Sequence, residues 1–277
     1  MSISVAGIFR YPVKSCGAES LGESVVEPWG LAGDRRWMIV DTDGDVVTGR
    51  EHPRLVLVAP SADNSNETVR FAAPGLPELT IPVPGADGGP RELVPVNVSG
   101  SDLLAAQASD EAAEWLTKIT GKPVRLVYLD DPTRRRINPA YSRAADRVSF
   151  ADGYPLLLVS EASLAQLNDW IADGPHSAEG PLPMARFRPN VVITGASAWA
   201  EDEWRKIRIG EVAFRVPKRC DRCVFTTIDP RTAVRSREPL VTLAKRRHWD
   251  GKVWFGVNLI PDAPGSIRAG DVVEVAN

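Results

Sequence analysis

Cys220 and Cys223 stand in the run Lys218-Arg219-Cys220-Asp221-Arg222-Cys223, a C-x-x-C pair set among charges. Sulfur at this spacing supports several chemistries. A structural zinc site takes about four protein ligands. Outside the pair the soft donors are Cys16, His52, His176 and His248, and none of these pair at metal-ligand spacing. A redox pair of the thioredoxin type sits where a strand enters a helix, whereas Val224-Phe225-Thr226-Thr227-Ile228 is expected to continue as strand. In a third arrangement one thiolate binds a single metal that is held mainly by other ligands. Lys218, Arg219 and Arg222 favour a thiolate, because positive neighbours lower a thiol's pKa and the thiolate is a soft, strongly donating ligand. The fourth alternative is a pair of buried, inert thiols. Charge on both sides of the pair argues against it, and the residues alone leave the other three open.

The elements that must position this segment are mostly strands. Period-two alternation marks 2–9, 36–40, 45–48, 54–58, 68–72, 78–83 and 92–98 as strands in the first half. Asp41-Thr42-Asp43-Gly44 is a hairpin turn, with Gly44 free to take positive φ. The Pro- and Gly-rich stretch 84–90 is a loop. At 109–121 the period changes. Ala112, Trp115, Leu116 and Ile119 share one helical face, Ser109 is placed to cap it, Asp110 and Glu111 suit its positive end, and Gly121 ends it. Strands return at 124–129, 155–159, 190–194, 206–209, 212–216, 223–228, 253–260 and 272–275. One helix interrupts them, with Leu164, Leu167, Trp170 and Ile171 on one face. Many short strands with turns between them predict a mainly β chain with a few helices, an α+β protein of barrel-like halves that hide their sheet edges. The helix near 110–120 sets the expected division, 1–122 and 123–277.

A chain of 277 residues has room for two such halves. A net charge of -3, with only short basic clusters at Arg134-Arg135-Arg136 and Lys245-Arg246-Arg247, excludes bulk binding to nucleic acid, which rests on neutralising many phosphates. No run approaches the roughly 18 apolar residues of a membrane helix, and no leader is visible in the first residues. Three cysteines make no disulfide framework, so a reducing cytoplasm is the expected home.

The segment Arg219-Cys220-Asp221-Arg222-Cys223-Val224-Phe225-Thr226-Thr227-Ile228-Asp229-Pro230 resembles the cysteine segment of MOSC-domain proteins, in particular the mitochondrial amidoxime-reducing component and its bacterial relatives. The likeness covers almost the whole chain. Tyr11-Pro12-Val13-Lys14-Ser15 is similar to the opening of the family's N-terminal barrel, followed in family order by Gly33-Asp34-Arg35-Arg36-Trp37, Ser160-Glu161-Ala162-Ser163-Leu164, Arg186-Phe187-Arg188-Pro189-Asn190, and Trp254-Phe255-Gly256 with Gly270-Asp271.

The resemblance implies an N-terminal MOSC-associated β-barrel domain, a MOSC domain and a molybdenum cofactor (Mo-molybdopterin), with Cys223 as the metal ligand. It implies cofactor contacts at Lys14, Ser15, Arg35, Ser160, Ser163, Arg188, Asn190 and Arg222. Lys14, Arg35 and Arg188 would meet the cofactor's phosphate, where charge-assisted hydrogen bonds are worth roughly 1.5–3 kcal/mol each. Ser160 and Ser163 would offer a helix N-terminus to an anion, and Asn190 a donor and an acceptor to the pterin edge. The implied reaction is reduction of N-hydroxylated compounds (amidoximes, hydroxylamines, N-hydroxylated bases) by oxygen-atom transfer to Mo, with Asp229 as a proton relay. An iron–sulfur cluster commonly takes four cysteines, so electrons are expected from a separate flavin, haem or iron–sulfur donor protein. The competing expectation is a non-catalytic carrier of the molybdenum cofactor or of sulfur.

Overall fold

The computed structural model describes residues 2–63, 67–86, 88 and 91–276. The loop expected at 84–90 lies partly outside these. Strand outweighs helix among the described residues, 37% against 20%, with three α-helices, in keeping with the β-rich expectation. The largest sheet runs in the order Glu19–Leu21, Ser4–Arg10, Val191–Thr194, Leu156–Ser160, Lys252–Pro261, Val212–Arg215, Lys206–Ile209, Val273–Ala276. Arg219–Asp221 and His248–Trp249 pair off the side of Lys252–Pro261. A second sheet joins Trp37–Val40, Arg125–Tyr128, Ser101–Gln107 and Leu93–Val98, and a third joins Ala59–Ala62, Thr68–Ala72 and Leu79–Pro82. Arg125–Tyr128 pairs with Trp37–Val40, and Ser4–Arg10 pairs with Val191–Thr194, so strands from either end of the chain interleave.

Helix α1 (Asp110–Thr120) buries Ala112, Trp115, Leu116 and Ile119 against the core that holds Phe71 and Ile81. Gly121 closes it at φ 72°, donating its N–H to Thr117 O. Ser109 stands at the N-cap, yet its side chain makes no capping bond. The hairpin at 41–44 forms as expected: Asp41 Oδ1 accepts the N–H groups of Asp43 and Asp45, and Gly44 takes φ 91°. Helix α2 (Glu161–Ala172) follows directly on Leu156–Ser160 and packs Leu167 and Ile171 on Phe187 and Phe255. Helix α3 (Leu240–Arg246) was not expected.

Three sequence expectations fail locally. Residues 54–58 form a 3-10 turn, Pro53–Leu57, where the proline removes a ladder donor. Residues 45–48 join their neighbours only through isolated bridges. The segment after Cys223 is not strand but a 3-10 turn, Val224–Thr227. Thr226 donates both its N–H and its hydroxyl to Cys223 O, and the Thr227 hydroxyl donates to Val224 O. Such local bonds from threonine compete with a ladder and win here.

Candidate functional site

One large cleft, about 850 Å³, opens between the Trp37–Val40 sheet and the Leu156–Ser160/Lys252–Pro261 sheet. It is at the upper end of the volumes usual for ligand sites, roughly 300–1,000 Å³. Nine Lys and Arg side chains line it against two Asp, in a chain whose net charge is -3. Backbone strain gathers there too. Among the described residues seven non-glycine positions have positive φ, and four of them line the cleft: Ser15, Arg35, Ser99 and Arg188. Such conformations cost of order 1–3 kcal/mol each and concentrate at functional sites.

The floor is built from the ends of strands. Lys14 follows the main chain of Ser4–Arg10 into the cleft, where its N–H donates to Trp37 O. Its Nζ donates to Phe150 O at 2.9 Å and to the Asp152 carboxylate. Burial pushes the Lys14 ammonium below the ordinary lysine range, and Lys14 in turn holds Asp152 below the usual carboxylate range. Arg35 Nη1 donates to Asp34 Oδ2 at 2.7 Å and to Asn190 Oδ1 at 2.9 Å. Arg188 Nη1 donates to Cys16 O at 2.5 Å. The guanidiniums of Arg35 and Arg188 each lie 4.2 Å from the Tyr11 ring centroid. Burial pushes the Tyr11 hydroxyl up to about 12 and Arg188 down to about 10. Asn190, buried, ties the floor to three strands. Its Nδ2 donates to Phe9 O at 3.1 Å, and its Oδ1 also accepts the Leu157 N–H at 3.2 Å.

The cysteines take distinct places. Cys16 is buried, with its thiol pushed up to about 12 by that burial. Cys220 is half-buried and packs on the core beneath α2; burial raises its thiol above the ordinary range despite Arg222 Nη1 at 2.9 Å. Cys223 alone is exposed, on the cleft wall at the start of the Val224–Thr227 turn. The cations expected around it engage other groups. Lys218 lies 3.4 Å from Asp221, Arg219 pairs with Glu203 at 2.8 Å, and Arg222 donates to the Cys220 sulfur and to Phe187 O. A cation one to five residues away in sequence is thus engaged elsewhere, on and beside the strand Arg219–Asp221.

Of the expected site residues, the cleft brings together Lys14, Ser15, Arg35, Arg188, Asn190, Arg222 and Cys223. Ser160, Ser163 and Asp229 do not line it. Ser160 is fully buried at the N-cap of α2 without a capping bond. Ser163 donates to Glu201 Oε1 at 2.6 Å and accepts the Trp199 N–H, which fixes α2 to the following loop. Asp229 accepts the N–H groups of Arg231 and Thr232 and lies 3.4 Å from Arg186 Nη2. Burial opposes its ionisation, but those N–H groups and Arg186 outweigh it and hold Asp229 below the usual carboxylate range. A carboxylate so engaged is poorly placed to relay protons. Arg50, Arg135, Arg136, Lys218 and Lys252 also line the cleft. The basic triplet at 134–136 marked two of them in the sequence, though as solvated surface.

The MOSC N-terminal beta barrel domain matches residues 2–123, and the MOSC domain matches 145–274. The chain is 33% identical to human mitochondrial amidoxime-reducing component 1 over 98% of its own length and 82% of that protein's. It is likewise 33% identical to bovine mitochondrial amidoxime reducing component 2, over 98% of this chain and 82% of that one. Among solved structures, the YUAD protein from Bacillus subtilis covers 99% of this chain and 96% of its own, at 12% identity and a TM-score of 0.43. The mitochondrial relatives overturn the expectation of a cytoplasmic protein, which rested on three cysteines without a disulfide framework and on the lack of a visible leader. No helix among the described residues is long and apolar enough to cross a membrane.

Proposed function

The chain belongs to the MOSC family, with both the N-terminal beta barrel domain and the MOSC domain, and we propose that it is a molybdenum-cofactor-dependent reductase of N-hydroxylated compounds such as amidoximes. One feature carries this: the exposed thiol of Cys223 on the wall of a large, strongly cationic cleft. The match to amidoxime-reducing relatives over nearly the full chain supports it.

The residues present fit molybdopterin. Among the described residues no group of three or more His, Cys, Asp or Glu could hold a metal ion. A metal at Cys223 therefore needs donors from outside the chain, and a dithiolene is such a donor. Lys14, Arg35 and Arg188 would hold the phosphate. Ser15, Asn190 and Arg222 stand on the same walls. Asn190 has its carbonyl occupied by Arg35 and Leu157, which leaves one Nδ2 hydrogen for a ligand acceptor.

When bound, the cofactor supplies a two-electron centre for removing oxygen from an N–OH group. The balanced conversion takes an amidoxime, two electrons and two protons to an amidine and water. The electrons come from a separate donor protein carrying flavin, haem or iron–sulfur. The chain's own part is binding and electrostatics. Asp34 and Asn190 fix the direction of Arg35. Arg188, even lowered to about 10, stays charged at neutral pH, and Tyr11 stays a neutral phenol between two guanidiniums. Neither group competes with an incoming anion. Ser160, Ser163 and Asp229 serve the fold around the site.

The test is molybdenum content and benzamidoxime reduction, with dithionite-reduced viologen as donor, for wild type and Cys223→Ala made in a cofactor-producing host. Wild type is expected to carry about one molybdenum and turn over, and the variant to do neither. Molybdenum without turnover on several N-hydroxylated substrates would make the protein a cofactor carrier. Wild type without molybdenum would sink the proposal altogether.

A further inference from the structure

We infer that the outer part of the cleft is a second anion site, and that the N-hydroxylated compound it selects is flat and carries a carboxylate or a phosphate. This rests on the reductase function proposed above. The cleft's cations fall in two tiers. The inner tier is buried or tied: Lys14 to Phe150 O and Asp152, Arg35 to Asp34 and Asn190, Arg188 to Cys16 O. These are the groups a cofactor dianion would use.

The outer tier is Arg136, Lys218 and Lys252 on the same cleft, with Arg136 and Lys252 exposed and Lys218 half-buried beside them. One carboxylate, Asp221, serves both lysines, at 3.4 Å from each Nζ. Arg136 is exposed and no acceptor among the described residues holds its side chain. Three cations against one carboxylate leave positive charge that the inner ligand does not need.

Rings surround this tier. Lys218 Nζ lies 5.2 Å from the Tyr141 ring centroid, 6.0 Å from that of Tyr154 and 5.6 Å from that of Trp254. These contacts hold the ammonium in place beside open aromatic surface, since Tyr141 is 46% exposed. A flat ring can stack on Tyr141 while its anionic substituent meets Lys218 and Arg136. A neutral substrate would use the ring and leave the cations to water. A broad acidic protein face could also meet exposed cations, but the ring contacts of Lys218 turn it toward a small aromatic ligand.

The experiment uses the molybdenum-loaded protein with dithionite-reduced viologen, so no protein donor is present. Benzamidoxime is compared with its 4-carboxylate and with its 4-phosphate ester, which separates the two anion sources. In wild type at least one anionic substrate is expected to exceed benzamidoxime in kcat/KM by about tenfold, the worth of one partly screened charge-assisted hydrogen bond. The gain should lie in KM and shrink with added salt. The ratio is taken within each variant, so differences in loading cancel. It should fall toward one in the Lys218→Gln/Lys252→Gln double variant and in Arg136→Gln. It should rise in Asp221→Asn, which frees both lysines. Equal kcat/KM for all three substrates in wild type overturns the inference. So does a preference that survives the lysine substitutions. Loss of turnover on benzamidoxime itself in loaded wild type is a different failure. It removes the reductase reading, and the inference with it.

Discussion

Asn190→Leu removes one buried amide from the joint between three strands and the cleft floor. Leucine keeps the branched heavy-atom skeleton of asparagine, with bulkier methyl groups in place of its oxygen and nitrogen, and removes every polar atom of the side chain. It strips the Leu157 N–H of its acceptor at 3.2 Å and the Phe9 carbonyl of its donor at 3.1 Å, at a position only 1% exposed. It also takes from Arg35 an acceptor at 2.9 Å. The backbone bonds of Asn190, to Leu157 O and from the Phe9 N–H, both 2.8 Å, survive. Each buried group left unpaired costs about 1–3 kcal/mol, so the expected loss is about 3–5 kcal/mol, a large share of a typical stability of roughly 5–15 kcal/mol. For a chain of this size that is a fall in Tm of about 6–20 °C. Thermal and urea melts of cofactor-free protein measure it directly. A loss under about 1 kcal/mol would refute the clamp. A loss seen only in cofactor-loaded protein would make Asn190 a cofactor ligand first and a strand clamp second.

In cofactor-free protein iodoacetamide should alkylate Cys223 ahead of Cys16 and Cys220, because it is the exposed thiol, and loading with cofactor should protect it; peptide mass spectrometry that finds Cys16 modified first would contradict the site geometry. Glu201, fully buried and raised in pKa by burial, disfavours its charged form in the folded state. Its ionisation therefore destabilises the fold as pH rises from the ordinary carboxylate range through the raised folded value. Glu201→Gln should gain stability over wild type above that window and match it below, in urea melts run across pH; a gain that grows toward acid would reverse the sign and defeat the account. Gly256→Ala should cost about 1–3 kcal/mol or more, since φ is 74° and a Cβ would meet Leu158 O at 2.7 Å; an unchanged Tm would count against the packing of these two strands.

Much of the fold was legible because burial follows period. Residues 68–72 and the face of α1 alternate or repeat cleanly, and both elements form where expected. The turn after Cys223 was not legible by period. Val224, Phe225 and Ile228 look like strand, and only the back-bonding of Thr226 and Thr227 to the carbonyls of Cys223 and Val224 decides otherwise. In the cleft, residue types were readable but partners were not. Lys218, Arg219 and Arg222 lie near Cys223 in sequence, yet their side chains engage Asp221, Glu203 and Cys220. Ser163 and Asp229 have hydroxyl and carboxylate chemistry that suits a site equally well as a loop anchor. Only the position of Glu201 and of the Arg231 N–H shows that each is engaged by its own neighbours.

The inner cleft gathers charge that the fold does not neutralise. Lys14, Arg35, Arg135 and Arg188 converge there with Asp34 and Asp152 as carboxylates, and burial drops Arg135 and Arg188 each to about 10. Buried charges cost stability unless paired, and positive φ at Ser15, Arg35 and Arg188 adds strain at the same place. Local rules broken together in this way mark a site kept for function rather than stability. An anion in the cleft supplies the missing charge, so its binding free energy is added to the stability of the fold. The rest of the chain carries the opposite excess, since the net charge is -3 despite this cleft. A positive well inside an acidic molecule draws in small anions, whereas a net charge of -3 disfavours a polyanion, whose binding rests on neutralising many phosphates.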